Sequence, residues 1–375
     1  MAELSTDSLE RAPGHVKRYQ RQKLWAEAGS AIAALVALIL LATVVGPVVG
    51  EHLRREFGGE MWSKLIAVAA MIAVTLELAT LPIDFWSSYI VEHQHGLSTQ
   101  TLFGWVVRRI KGYAVGGVLG IALICGLYAL LWQTGDWWWL WATAGWLAVT
   151  LVLGRLLPIV ILPLYYRFNR LDDETLLTRL RALCEGTGLN VEGVYKLHMS
   201  DETRKANAAL AGLGKTRRVL LGDTLLDTFT PDEIEVVFAH EVGHHVHQHL
   251  VKMIVYRVAV SLAGFWLVDR ILRAAAPSLG YQGLTDPAAL PLVLLVITVF
   301  GLILSPLGNA LSRYFEVQCD TYALQRTHRP DAFRSAFAKL ARMNKSDPDP
   351  HPVVVWLFYD HPPIRERLAL ADRVL

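Results

Sequence analysis

Long apolar stretches, each about the length of a membrane-crossing helix, dominate the chain. A helix needs about 20 mostly apolar residues to cross a bilayer. Six stretches approach or exceed that length, at residues 29–50, 65–83, 112–135, 137–163, 253–275 and 287–312. Polar sequence lies before, between and after them. The pattern therefore predicts a mainly α, multi-pass membrane protein with six crossings.

The same pattern divides the chain into five parts. They are a polar tail (1–28), a four-crossing membrane part (29–163), a folded polar domain (164–250), two further crossings (251–312) and a C-terminal polar segment (313–375). Two charged residues, Glu77 and Arg155, lie inside apolar stretches. Charged side chains at such positions either line a water-filled cavity or form pairs within the helix bundle. The sequence leaves both interpretations open.

The polar domain combines helical and extended patterns. Helical spacing of apolar residues covers 171–184, strands are predicted at 193–199 and 217–221, and 206–213 is an extended candidate between them. A sharp helix start follows, where Thr230 can cap, Pro231 suits the first position and Glu233 completes a capping box. We expect this helix to continue through His249 towards the fifth crossing.

Composition and charge support the membrane assignment and exclude one class of partner. Hydrophobic residues make up 53% and charged residues 19% of the chain, against about 25% charged residues in soluble domains. A net charge of +2 is too balanced to indicate nucleic-acid binding. Basic residues precede the first crossing and separate the second from the third. This bias predicts a cytoplasmic N-terminus and cytoplasmic polar parts.

The strongest chemical signal is the HExxH motif at 240–244, inside the predicted helix. Residues four apart share a helix face, so His240 and His244 can bind one Zn²⁺ while Glu241 acts as general base on a metal-bound water. The alternative is a His-rich helix end at the membrane surface. We expect the three histidines that follow to be surface or supporting groups rather than ligands: His245, His247 and His249.

The third zinc ligand must come from another part of the chain, because a catalytic zinc keeps three protein ligands and one open position. Glu316 and Asp320 are four apart just after the sixth crossing and share a face if its helix continues. Glu316 is then the third ligand, and Asp320 accepts the free ring N–H of a ligand histidine. The alternatives are a solvated acidic pair, or Cys319 as a softer ligand, although its helical position points away from Glu316.

Six sequence blocks extend this pattern beyond the motif. They are LPIDFWSSYIVEHQHGLSTQTLFGWVVRRIKG, LPLYYRFNRLDDETL, KANAALAGLGKTRRVLLGDTLL, AHEVGHHVHQH, SRYFEVQCDTYAL and DHPPIRERL. In this order, with crossings between them, they make residues 81–370 resemble the CAAX prenyl protease 1 family of integral-membrane zinc metalloendopeptidases. HExxH alone is shared by many metalloproteases, whereas the ordered set is far more specific.

The resemblance implies the zinc ligands named above, one Zn²⁺ per chain and Glu241 as the catalytic base. It implies further that Asn207 lies beside the bound substrate, that the extended stretch around it pairs with the substrate backbone, and that His361 hydrogen-bonds the developing oxyanion. Arg365 is a possible helper on the same segment. The structural alternatives for these three are a turn asparagine, a helix start and a surface arginine.

The resemblance also implies the architecture and the function. The expected fold is a ring of membrane helices around a water-filled chamber, closed by a zincin-type metalloprotease domain with a small β-sheet. Family members often have seven crossings, and Cys319 stands where alanine is common. The compact chain, without the family's longer polar insertion before HExxH, indicates a bacterial inner-membrane protein with its zinc domain on the cytoplasmic side.

The expected activity is hydrolysis of peptide or protein substrates, prenylated or membrane-associated, by a protein whose other partner is the lipid bilayer. Two other functions remain open. One is a heat-shock-type protease for quality control of membrane proteins. The other is a zinc-binding scaffold or transporter without peptidase activity, for which Glu241 is the discriminating residue, because transport needs no general base there.

Overall fold

The computed structural model describes residues 13–56 and 60–374, and its main elements are fifteen α-helices and four short strands. The first seven helices are α1 Gly14–Leu40, α2 Gly46–Glu56, α3 Met61–Phe85, α4 Glu92–Gln94, α5 Leu102–Thr134, α6 Trp138–Leu156 and α7 Leu162–Tyr165. The next five are α8 Glu174–Cys184, α9 Asp223–Leu226, α10 Pro231–Val246, α11 His249–Ala275 and α12 Leu290–Thr327. The last three are α13 Pro330–Met343, α14 Pro352–Phe358 and α15 Ile364–Val374.

Five helical segments are long and apolar enough to cross a membrane. They cover 14–53, 61–94, 102–165, 249–275 and 287–327. The third has 64 residues, which at about 1.5 Å per residue is far longer than one crossing requires. It reverses at Gly135, where φ is 54°, so that α5 and α6 pack side by side. The five segments therefore contain six helices of crossing length. The predicted mainly α, multi-pass fold is confirmed.

The predicted boundaries between the parts of the chain do not coincide with the observed helix ends. Part of the predicted tail is helical, because α1 begins at Gly14; residues 1–12 lie outside the described residues. At the other end, α12 continues past 312 to Thr327 without a break. One helix thus carries both the sixth crossing and the start of the C-terminal segment.

Polar contacts join the crossings inside an apolar core. The indole Nε1 of Trp138 donates to Asp269 Oδ1 at 2.8 Å, between α6 and α11. Tyr281 donates from its hydroxyl to the Ala42 carbonyl at 2.7 Å, in a π-helical turn that joins α1 to α2. Its ring lies where a side chain at Gly46 would stand. Glycine at this position therefore lets the first crossing pack closely against Tyr281.

Of the two charges inside apolar stretches, only one has a partner in the bundle. Glu77 on α3 accepts a hydrogen bond from Arg109 Nη2 of α5 at 2.6 Å and another from the Tyr113 hydroxyl. The same guanidinium also reaches Asp84 at 3.0 Å. Arg155, near the end of α6, is exposed and forms no ion pair with the described residues. The structure therefore favours pairing within the bundle for Glu77.

A small mixed sheet lies in the polar domain, as predicted. Its strands are β1 Phe168–Arg170, β2 Gly193–Leu197, β3 Ala208–Ala211 and β4 Arg218–Gly222, in the order β1-β2-β4-β3. The pair β2 and β4 is parallel and the other pairs are antiparallel. This order leaves β3 at an edge, next to α10.

The HExxH helix begins as predicted but ends earlier. The Thr230 hydroxyl accepts from the Glu233 amide, and the Glu233 carboxylate accepts from the Thr230 amide at 2.7 Å, which is the expected capping box. The expected continuation through His249 is wrong, because α10 ends at Val246 and Gln248 adopts a left-handed conformation with φ 55°. The chain turns there, and α11 begins at His249.

We expect Gly46→Ala to lower thermal stability, although alanine normally stabilises a helix relative to glycine by about 1 kcal/mol. The added methyl would overlap the Tyr281 hydroxyl. The matched control is Gly117→Ala in α5, where a Cβ meets no described atom within 4 Å. Thermal unfolding of both variants in detergent measures the difference. Equal or higher stability of Gly46→Ala would contradict this packing.

Candidate metal centre

Two imidazoles and one carboxylate converge where α10 packs against α12. His240 Nε2 lies 3.2 Å from Glu316 Oε2, and His244 Nε2 lies 3.3 Å from Glu316 Oε1. The two helices approach closely at Gly243, where a Cβ would stand 3.0 Å from the Cα of Cys319. The glycine of the motif therefore lets α12 come near enough for its glutamate to reach both histidines.

The burial and hydrogen bonding of the Glu316 carboxylate fit a metal ligand. The residue is 4% exposed, and its Oε2 accepts no aligned hydrogen bond from the described residues. A buried charged oxygen without a partner is costly. A divalent cation held by the two Nε2 atoms and this carboxylate would remove that cost. Two imidazole nitrogens and one carboxylate oxygen form a donor set typical of catalytic zinc.

The first histidine is oriented by a buried ion pair. His240 Nδ1 donates to Asp320 Oδ1 at 2.9 Å, which leaves Nε2 to face Glu316. Arg367 donates two hydrogen bonds to the same carboxylate, at 2.8 and 2.6 Å. Burial alone would raise the pKa of Asp320, but the Arg367 guanidinium and His240 hold it below its usual range. Burial alone would lower the pKa of His240, yet the carboxylates of Asp320 and Glu316 raise it to about 9.

Arg367 was not among the residues predicted from the sequence, whereas Arg365 was. Arg365 is half exposed and pairs with Asp349 at 3.2 Å, away from the zinc-ligand cluster. Two residues later, Arg367 points to the opposite side of α15 and is buried beside His240. A signal was present, because Arg367 stands on the apolar stripe of that helix. The members of that stripe are Ile364, Leu368 and Ala371.

The second histidine is oriented by another imidazole. His249 Nε2 lies 2.9 Å from Gln318 Oε1, and His249 Nδ1 lies 3.1 Å from His244 Nδ1. Because an amide oxygen only accepts, the Nε2–H of His249 donates to it and its Nδ1 accepts from His244. His244 is then protonated at Nδ1, so its Nε2 is available to bind a metal ion. Burial lowers the pKa of His249 to about 4, consistent with a neutral ring.

Cys319 is a second candidate for the third ligand. Its Sγ and one ring nitrogen each of His240 and His244 all lie within 4.8 Å of one another. Burial raises the pKa of its thiol, whereas metals bind the thiolate. Its Sγ also lies 3.5 Å from His249 Nδ1. Glu316 has a buried oxygen that accepts no aligned hydrogen bond from the described residues, and we therefore favour it over Cys319 as the third ligand.

A cavity of about 390 Å³ opens over His240 and Glu316 and brings together most of the residues expected from the sequence. Three of those residues do not line it: His244, Asp320 and Arg365. Glu241 lies in its wall, where the Leu210 amide of β3 donates to Glu241 Oε2 at 3.2 Å. Asn207 is exposed at the start of the same strand. His361 donates from Nδ1 to Asp360 Oδ1 at 2.8 Å, and this contact raises the pKa of His361. Its Nε2 lies 3.5 Å from Glu316 Oε2.

Comparison with known proteins gives two family matches. Residues 170–374 match peptidase family M48, and residues 10–167 match the family described as CAAX prenyl protease N-terminal, five membrane helices. The described part of that N-terminal region contains four crossing-length helices, α1, α3, α5 and α6, rather than five.

Individual relatives agree with these matches. An uncharacterized metalloprotease YhfN from Bacillus subtilis is 32% identical over 81% of this chain and 72% of its own length. CAAX prenyl protease 1 from Saccharomyces cerevisiae is 27% identical over 79% of this chain and 69% of its own length. The crystal structure of S. mikatae Ste24p has the same fold, with a TM-score of 0.83 and 22% identity over 95% of this chain and 88% of that chain.

We expect His249→Leu to weaken zinc binding by about 10- to 100-fold, the usual cost of losing a group that orients a ligand. His249→Asn should bind nearly as tightly as the unmodified protein, because its amide oxygen can accept from His244 Nδ1. Zinc content after equilibration with a series of chelator concentrations measures the effect.

The matched control is His245→Leu, since His245 neighbours the ligand in sequence but contacts Arg217. If His249→Leu and His245→Leu lose zinc at the same chelator concentration, the His249–His244 contact does not orient the ligand.

We expect Arg367→Met to destabilise the protein by about 3–5 kcal/mol, because it leaves Asp320 buried without its cation. Arg365→Met removes a solvent-exposed pair with Asp349 and should cost less than about 1 kcal/mol. Denaturant unfolding in detergent compares the two variants. Equal stability would show that the buried pair contributes no more than the surface pair.

Proposed function

Because the chain belongs to peptidase family M48 and is a CAAX prenyl protease-like membrane metalloprotease, we propose that it is a zinc endopeptidase with Glu241 as general base. The observation that carries this proposal is the shared cavity. Glu241, His240 and Glu316 open into one space that is bounded by a free strand edge. A peptide bond placed there would be next to both the base and the metal.

His240, His244 and Glu316 would hold one Zn²⁺ per chain. Bound zinc would polarise the scissile carbonyl and lower the pKa of a water ligand. Asp320 and His249 keep the two Nε2 atoms directed at the ion, each through the opposite ring nitrogen. The ligand geometry is therefore established by contacts that do not involve the metal itself.

Glu241 performs the proton transfers. Its carboxylate accepts the proton of the attacking water and then gives it to the leaving amine. The hydrogen bond from the Leu210 amide holds one carboxylate oxygen and so fixes the orientation of the base. A scaffold or transporter would need no base at this position, so the placement of Glu241 favours proteolysis.

Substrate binding follows from the strand edge and two polar side chains. An extended peptide would add to β3 as a further strand, since an edge strand offers unpaired amides and carbonyls. Asn207 exposes its side chain beside this edge and is placed to bind the substrate. His361, held by Asp360, is placed to donate from Nε2 to the developing oxyanion. Arg365 lies farther out and could contact only the distal part of a substrate.

The substrate class comes from the relatives and from the membrane helices. Several relatives are named as CAAX prenyl proteases, which supports a prenylated or membrane-associated peptide as the substrate. The distribution of basic residues beside the crossings supports a cytoplasmic zinc domain, in the inner membrane of a bacterium. Hydrolysis of unmodified, unfolded peptides would instead support membrane-protein quality control.

We expect Glu241→Gln to retain one zinc per chain and to lose peptide cleavage by at least about 100-fold, the usual contribution of a general base. Cleavage of a farnesylated peptide and of its unmodified twin, with zinc content measured on the same samples, tests this. The twin peptides also separate lipid-directed processing from general proteolysis.

A matched control is Glu174→Gln, an exposed glutamate at the start of α8. It should retain both zinc and cleavage. The proposed mechanism is wrong if Glu241→Gln cleaves as fast as this control, and peptidase activity itself is wrong if the zinc-loaded protein cleaves neither peptide.

A further inference from the structure

The free edge of β3 presents backbone groups at alternate residues. The Gly222 amide donates to the Asn207 carbonyl at 2.9 Å, so residue 207 and every second residue after it face β4. The residues between them direct their amides and carbonyls away from the sheet. Among these, Leu210 already donates to Glu241. The outward amide and carbonyl of Ala208 make no hydrogen bond with other described residues.

The next outward position, Ala206, is taken by a side chain. The Ala206 amide donates to Asn344 Oδ1 at 3.0 Å, and Asn344 Nδ2 donates to the Ala206 carbonyl at 3.1 Å. One side-chain amide thus occupies both backbone groups that a neighbouring strand would use. Ala206 is 3% exposed. The edge that is open to a substrate therefore begins beside Glu241 and ends at Asn344.

Contacts with the membrane part hold this end of the groove in place. Lys345, which follows Asn344, accepts from Gln20 of α1 at its carbonyl and donates from Nζ to the His95 carbonyl. Lys205, which precedes Ala206, pairs with Glu92 at 3.0 Å. The residues on both sides of the Asn344–Ala206 contact therefore bind either α1 or the end of the second membrane segment, 61–94. The side chain of Asn344 is therefore a fixed barrier rather than a mobile surface group.

We propose that Asn344 is a specificity-determining residue, which limits how many substrate residues lie on one side of the scissile bond. The inference rests on the proposed function. Leu210 and Ala206 are four residues apart, about 13 Å in a strand. This length leaves room for about three substrate residues between the position beside Glu241 and the side chain of Asn344. A longer extension on that side must displace both hydrogen bonds of Asn344.

The test uses the zinc-loaded full chain in detergent and two peptide ladders around one cleavage site. One ladder grows residue by residue on the N-terminal side of the site, and the other grows on the C-terminal side. Products are identified by mass spectrometry. We expect kcat/KM to fall about tenfold when one ladder, and only one, exceeds about three residues. Loss of two hydrogen bonds is of that order.

Asn344→Ala and Asn344→Ser should raise the ratio of long-peptide to short-peptide cleavage about tenfold, because Ala206 then becomes available for pairing. The matched control is Asn344→Asp, which keeps the size and the hydrogen bond from the Ala206 amide but cannot donate to the Ala206 carbonyl, and should keep part of the length limit. Each ratio is taken within one variant, and zinc content shows that each variant is folded. Two truncations are used so that a folding defect in one does not decide the result.

Two results would overturn the inference. If the unmodified protein cleaves both ladders without a step, or if the step persists in both truncated variants, Asn344 does not limit substrate length although the peptidase proposal stands. If the zinc-loaded protein cleaves no member of either ladder, the proposed function fails and this inference fails with it.

Discussion

The structure depends on two buried carboxylates, Glu316 and Asp320, one turn apart on α12. Ionised carboxylates are costly to bury unless each has a partner. Asp320 has Arg367 and His240 as partners. Glu316 has two imidazole nitrogens beside it and one oxygen without an aligned donor, which suits a cation. The need to pair these two charges brings α10, α12 and α15 to one point.

The membrane helices do more than anchor this centre. The helix of the last crossing continues past the membrane to place Glu316, and the first residue of α11 is His249, which contacts His244. The left-handed turn at Gln248 makes that contact geometrically possible, because residues five apart on one straight helix lie on different faces. Of the two crossings that flank the metal centre, α12 thus contributes a candidate ligand and α11 contributes the residue that orients one.

Local patterns were sufficient to predict several features. The capping box at Thr230 and the HExxH spacing depend only on residues within two helical turns. Apolar length alone predicted the crossing helices. The predicted continuation of α10 through His249 is wrong, because Gln248 lacks the usual glycine signal for a left-handed cap. Arg365 rather than Arg367 was predicted, because the apolar stripe of α15 did not enter the prediction.

The sequence by itself determined which segments are long and apolar enough to cross a bilayer, where the HExxH helix begins and which side chains are candidate metal ligands, since these follow from hydrophobicity, capping and helical periodicity. Only the tertiary structure decided that Arg367 neutralises Asp320, that His249 orients His244 and that Asn344 ends the open edge of β3. Each of these contacts joins distant parts of the chain or crosses a helix break. Their geometry arises from packing between whole elements. The apolar stripe of α15 indicates the face on which Arg367 lies, but no local pattern identifies the partner that it meets there.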